Sequence, residues 1–143
     1  MEGIMKELLI IGKAPIQYQV YDLKTKKNEV WMLGTDEREG ADVYYELHGI
    51  KVNHPNTVYS LPDEVYRFGL PINSSIGALL VYAYIKGYKR ITLIGAPMDA
   101  THEYAMQKPA VACIIGWLMA KGVKVDWGYM PQNTDYGRVK DID

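Results

Sequence analysis

One cysteine, Cys113, is all that 143 residues contain, so no disulfide can staple this chain to itself. That usage is the habit of a reducing compartment, and it predicts a cytoplasmic protein. Phenylalanine occurs once, whereas tyrosine occurs twelve times. Tyrosine carries an apolar ring and a polar tip, which suits half-buried rims and subunit contacts, so the imbalance predicts a homo-oligomer. There is no excess of one charge: 16 Lys and Arg stand against 17 Asp and Glu, a net of −1. That balance excludes a general affinity for nucleic acid or for an acidic membrane surface. Long apolar runs are missing as well. The longest, Ala110–Ala120, is too short to span a bilayer. The opening MEGIMKELLIIGKAP has too short an apolar core for a signal peptide and no small-residue cleavage pattern. Asp99, His102, Glu103 and Tyr104 crowd one loop, but their spacing matches no established ligand set, so no metal is expected.

What is present is a globular pattern, 48% hydrophobic and of a length for one domain. The stretch Asn73–Met98 organises it. Asn73, Ser74 and Ser75 are helix-capping types, because a short side-chain oxygen accepts from the free N–H groups of a first turn. Ile76, Leu79, Leu80 and Ala83 follow at helical spacing, and Gly87 stops the helix. Ile91–Ile94 is then a short apolar and β-branched run ending at Gly95, which reads as a buried parallel strand. A strand and a helix this apolar imply an α/β sandwich, with ligands at the carboxyl edge of the sheet.

The rest falls into place around that unit. Leu8–Ile11 is a first strand followed by the turn Gly12-Lys13-Ala14-Pro15, and residues 16–23 read as a short helix or irregular segment. Residues 24–28 form a cationic turn. Further strands are expected over 29–33, 42–47 and 57–60, and Pro62 opens a brief helix. A loop over 96–106 reads as a mobile lid. Pro109–Lys121 reads as a helix apolar nearly all round, which implies burial on more than one side, the second against a sister subunit. Cys113 within it reads as a buried, inert thiol. Residues 123–127 close a mostly parallel sheet of five or six strands. The expected organisation is one Rossmann-like three-layer α/β domain over 1–127 and a surface tail over 128–143.

Three groups of residues point to chemistry. The turn at Gly12, Lys13 and Ala14 is small enough for backbone to approach a phosphate, with Lys13 adding charge; an ordinary tight strand-to-helix turn is the plainer reading. Asn73, Ser74 and Ser75 form a hydroxyl- and amide-rich start to the central helix, either a cradle for an anion or simply caps. Glu46 and His48 lie two apart at the end of the third strand and so share a face, where a carboxylate and an imidazole can do acid–base work. The alternative there is a satisfied histidine on a rim.

The order of these pieces is a strand with Gly12-Lys13-Ala14-Pro15, a serine-led helix, then Gly87-Tyr88-Lys89-Arg90-Ile91-Thr92-Leu93-Ile94-Gly95. It resembles the Rossmann-like superfamily of CMP-dependent sialyltransferases and archaeal-type hydroxymethylpterin diphosphokinases. It resembles still more a group of uncharacterised phage and prophage proteins with a Glu-Leu-His segment and a later Glu-Tyr-x-x-Gln, here Glu46-Leu47-His48 and Glu103–Gln107. The likeness covers most of residues 7–127. It implies a nucleotide or nucleotide-sugar ligand, with Gly12, Lys13, Ala14, Asn73, Ser74, Ser75 and Gly95 binding and His48, Glu46 and Glu103 handling protons in a glycosyl or pyrophosphoryl transfer. This chain departs from the transferases at Ala14 and Ile16, where they have glycine and serine, and at Gly95-Ala96-Pro97, where they have an acid. The competing implication is a non-catalytic protein that captures a nucleotide or binds a partner.

Overall fold

Six strands form one sheet, all parallel, in the order β4-β3-β2-β1-β5-β6. A computed structural model describes residues 6–24, 28–98, 102–128 and Gly137. The strands are β1 (Glu7–Ile11), β2 (Asn28–Leu33), β3 (Val43–Tyr45), β4 (Thr57–Val58), β5 (Arg90–Ile94) and β6 (Lys124–Trp127). The helices are α1 (Val20–Leu23), α2 (Ser75–Ile85) and α3 (His102–Ala120), with a 3₁₀ turn at Asp63–Tyr66. From β1 the chain steps outward through β2 and β3 to β4. It then returns through α2 to place β5 on the other side of β1. The winding reverses between β1 and β5, and in such sheets the crevice opens at that reversal, beyond the carboxyl ends of the strands.

Alternation along the strands divides the core. Leu8, Ile10, Trp31, Ile91 and Leu93 face α2 and α3. Leu9, Ile11, Val30, Met32 and Tyr44 face the opposite way, under Val20 of α1 and the half-buried Ile16 and Leu23. Trp31 has no exposure, and its ring stacks on Tyr82 at 5.6 Å and meets Tyr45 and Tyr88 at 5.0 and 5.5 Å. Such pairs contribute about 0.5–1.5 kcal/mol each beyond burial. Glu29 satisfies the polar atoms of this cluster: it accepts the Trp31 indole N–H at 2.9 Å and the Tyr88 hydroxyl.

The expected helix from Pro109 is longer at its start. α3 begins at His102 and carries Pro109 inside it, so the loop that read as a lid over 96–106 is partly the first turn of a helix. Pro109 withdraws one backbone hydrogen bond from that helix, but Pro109 and Ala105 are both exposed, so water can satisfy the freed carbonyl. Residues 99–101 of the expected lid, and nearly all of the expected tail, lie outside the described residues. α3 is also not buried all round. Val111, Ile114, Ile115 and Leu118 are buried, whereas Ala112, Cys113, Gly116, Met119 and Ala120 are exposed. Cys113 is therefore an exposed thiol, not a buried one, because its position points away from α2 and the sheet. Among the described residues no helix is long and apolar enough to cross a membrane.

Tyr45 and Tyr88 give the fold an alkaline limit. Burial raises both phenols well above the ordinary tyrosine range, and Glu29 adds to the rise. Both stay neutral in the folded state while unfolded tyrosine ionises near pH 10, so their contribution is complete below that pH and is lost as pH rises beyond it. In an alkaline titration followed by phenolate absorbance, Tyr45 and Tyr88 should ionise together with the loss of helical circular dichroism, after the exposed tyrosines. Their ionisation while the fold is intact would contradict this packing.

Candidate functional site

A cavity of about 530 Å³ opens at the carboxyl ends of the central strands. Its floor comes from the turn after β1, at Gly12–Pro15, and the turn after β5, at Gly95–Met98. One wall is the start of α2, with Ser74, Ser75 and Ile76. The facing wall follows β2 and β3, with Leu33, Thr35, Tyr45, Glu46, His48 and Ile50, and Gln107 of α3 reaches the rim. β1 and β5 pair, Ile11 against Ile94, so the two turns meet directly.

They meet backbone to backbone. The Gly12 N–H donates to the Ile94 carbonyl at 2.8 Å, and the Ala14 N–H to the Gly95 carbonyl at 2.9 Å. A Cβ on Gly12 would stand 2.4 Å from the Gly95 oxygen, and one on Gly95, where φ is 66°, would stand 2.8 Å from the Gly12 oxygen. The glycines are thus explained by the approach of two turns. Two of the amides expected to cradle a ligand are spent inside the protein. The Trp127 indole N–H donates to the Ala96 carbonyl at 2.9 Å and fixes the second turn from β6.

On the α2 wall the two serines divide the work. Ser74 is the N-cap, its Oγ accepting the Gly77 N–H at 3.0 Å, which leaves Ser75 on the cavity wall as the first helical residue. Asn73 is exposed, does not line the cavity, and reaches the Met106 carbonyl at 3.5 Å. Lys13 lines the cavity and is exposed.

Glu46 is 3% exposed, and it is held there by backbone. Its Oε2 accepts the N–H groups of His48 at 3.0 Å and Ile50 at 2.8 Å. Gly34 leaves room for it, since a Cβ there would lie 3.0 Å from that of Glu46. The other oxygen stands 3.4 Å from Nδ1 of His48, whose side chain is largely exposed. Glu46 therefore shapes the turn that carries His48 to the mouth of the cavity, and the imidazole is the accessible member of the pair. Glu103 lies in the first turn of α3, and its side chain falls outside the described residues.

Residues 35–40, a polar and acidic stretch after β2, brace the site. Asp36 is buried and pairs with Arg38 at 2.6 Å, and that guanidinium also donates to the Gly12 carbonyl at 2.6 Å and the Ala14 carbonyl at 3.4 Å. His54 stacks on Tyr44 with centroids 3.7 Å apart and places Nε2 2.6 Å from the Asp36 carbonyl. The Asp-x-Arg spacing was the one available signal. It is short-range in sequence and says nothing of a partner 24 or 26 residues away.

These features define a class: an all-parallel α/β protein of Rossmann-like type, with a cavity at the reversal of winding. Comparison with known proteins goes no further, since no family model, no curated protein and no solved structure matches the chain.

Replacing Gly12 by alanine tests the junction of the two turns. The new Cβ has only backbone and Ala96 to meet, so the variant should lose at least about 2 kcal/mol in chemical denaturation. Unchanged stability would mean that the turns can separate freely.

Proposed function

We propose that this protein binds a nucleotide or nucleotide-sugar in the cavity between the β1 turn and the start of α2. The observation that carries the reading is the cavity's position, at the winding reversal and against a helix N-terminus, where backbone dipole and free amides favour an anion. Lys13 and Ser75 hold the phosphate, and the apolar wall holds the ring. On the enzymatic form of this reading, the reaction is transfer of a glycosyl or pyrophosphoryl group from a nucleotide-linked donor. His48 moves the proton, and Glu46 orients it by holding the turn. The alternative is capture of a nucleotide without turnover, through the same contacts. Incubation with nucleotide-sugars and nucleoside triphosphates separates the two: hydrolysed or transferred donor supports the transferase, and binding without product supports capture.

Calorimetry with a nucleotide panel tests the site itself. Ser75→Ala should weaken binding roughly fivefold, on the order of 1 kcal/mol, while leaving stability unchanged because Ser74 makes the cap. Full affinity in the variant, or no binding by the wild type, would remove this placement.

A second observation favours self-assembly. From Pro109 to Ala120 the exposed residues of α3 are Pro109, Ala112, Cys113, Gly116, Met119 and Ala120, none of them charged. The half-buried Trp117 continues this surface onto Phe68, at 5.0 Å, and Tyr84, at 4.8 Å. Nothing among the described residues requires Gly116: a Cβ there would meet no atom within 4 Å. Glycine in a helix interior costs roughly 0.8–1.0 kcal/mol against alanine. Its presence accords with a second copy whose helix approaches closely. Gly116→Leu should therefore keep or raise the melting temperature while lowering the apparent mass in light scattering. A wild type that is monomeric at micromolar concentration would end this reading.

A further inference from the structure

The donors around the cavity are unevenly spent. The Gly12 and Ala14 amides serve the Ile94 and Gly95 carbonyls, and the Ser74 hydroxyl serves Gly77. Among the described residues, the donors left at the α2 end of the cavity are the Lys13 ammonium, the Ser75 hydroxyl and the first turn of α2, with about half an elementary charge, while Thr35 and His48 stand on the facing wall. Across the cavity stands the buried carboxylate of Glu46. The surface between these poles is apolar, made by Leu33, Tyr45, Ile76 and Met98. Among the described residues, a second or third phosphate placed beyond the first meets that apolar surface, the wall of Glu46, or solvent. The first two places cost desolvation or repulsion, and the third adds no contact.

We infer that the ligand carries a single phosphate, seated against Lys13 and Ser75, with its ring on the apolar wall and a hydroxyl or amino donor turned toward Glu46 and His48. This inference rests on the nucleotide reading above and narrows it. The cavity is polarised, positive at α2 and negative at β3, so it also sets the direction in which such a molecule enters.

The test is calorimetry of the full chain, in buffer containing magnesium, with adenosine, AMP, ADP and ATP and with the cytidine counterparts. The monophosphate of at least one series should bind about tenfold more tightly than its nucleoside, and its triphosphate should gain nothing further. Lys13→Ala should remove most of the difference between monophosphate and nucleoside and leave nucleoside binding unchanged. A triphosphate preferred over the monophosphate by more than about threefold would overturn the single-phosphate inference and leave the nucleotide reading standing. A nucleoside that binds as well as its monophosphate would overturn the inference also, with the cavity then a nucleoside site. No binding by any member would remove both the inference and the reading beneath it.

Discussion

The structure depends on the contact between the turns after β1 and β5. Two parallel strands that neighbour each other without being consecutive must end at the same edge, and here their exits pass at backbone distance. Gly12 and Gly95 permit it, and two main-chain hydrogen bonds close it. Arg38 ties the first turn to the loop after β2, and Trp127 ties the second to β6. Four strands are thereby joined at the edge where the cavity lies. The same contact explains why the first turn has few amides left to offer: they hold the sheet edge together, and the cavity receives the side chains around it.

Structure and chemistry compete for the same groups throughout this edge. Glu46 could serve as a base by residue type, but its carboxylate holds two backbone N–H groups and so fixes a turn. Its negative charge still faces the cavity. His48, presented by that turn, is the more accessible group. Ser74 and Ser75 show the same division in two adjacent residues, one consumed by the helix and one left on the wall. A site of this kind is built from what remains after the fold has been satisfied, which is why its polarity is simple: one positive end, one negative wall, and apolar surface between.

α3 has a corresponding asymmetry. Its inner face carries Val111, Ile114 and Leu118 into the core, and Ile114 reaches to within 3.1 Å of where a Cβ on Gly77 would lie. Its outer face is small and uncharged but exposed. A helix usually marks its water-facing side with charge. From Pro109 to Ala120 this one carries none, and of the residues on its second apolar side Ala110 is buried, Trp117 half-buried and Cys113 exposed.

Much of the architecture was legible from local pattern. The apolar runs 8–11 and 91–94, the serine-led helix and the stop at Gly87 each follow from side-chain period and backbone preference, and these are short-range properties. The adjacency of β1 and β5 accords with the general winding of parallel sheets, and it brings Gly12 and Ser75 to one cavity. Other features needed the folded chain. Pro109 read as the start of a helix because proline suits a first turn, but α3 extends to His102 before it. Cys113 read as buried because its neighbours are apolar, yet composition cannot say which apolar face meets the core. The bonds of Arg38 to Gly12 and Ala14 span 26 and 24 residues, and no local pattern encodes a partner that distant. By itself the sequence determined which segments become strands and helices, since those depend on neighbours along the chain. Tertiary structure alone decided which amides were spent on the turn contact and which side chains were left facing the cavity, since that depends on neighbours through space.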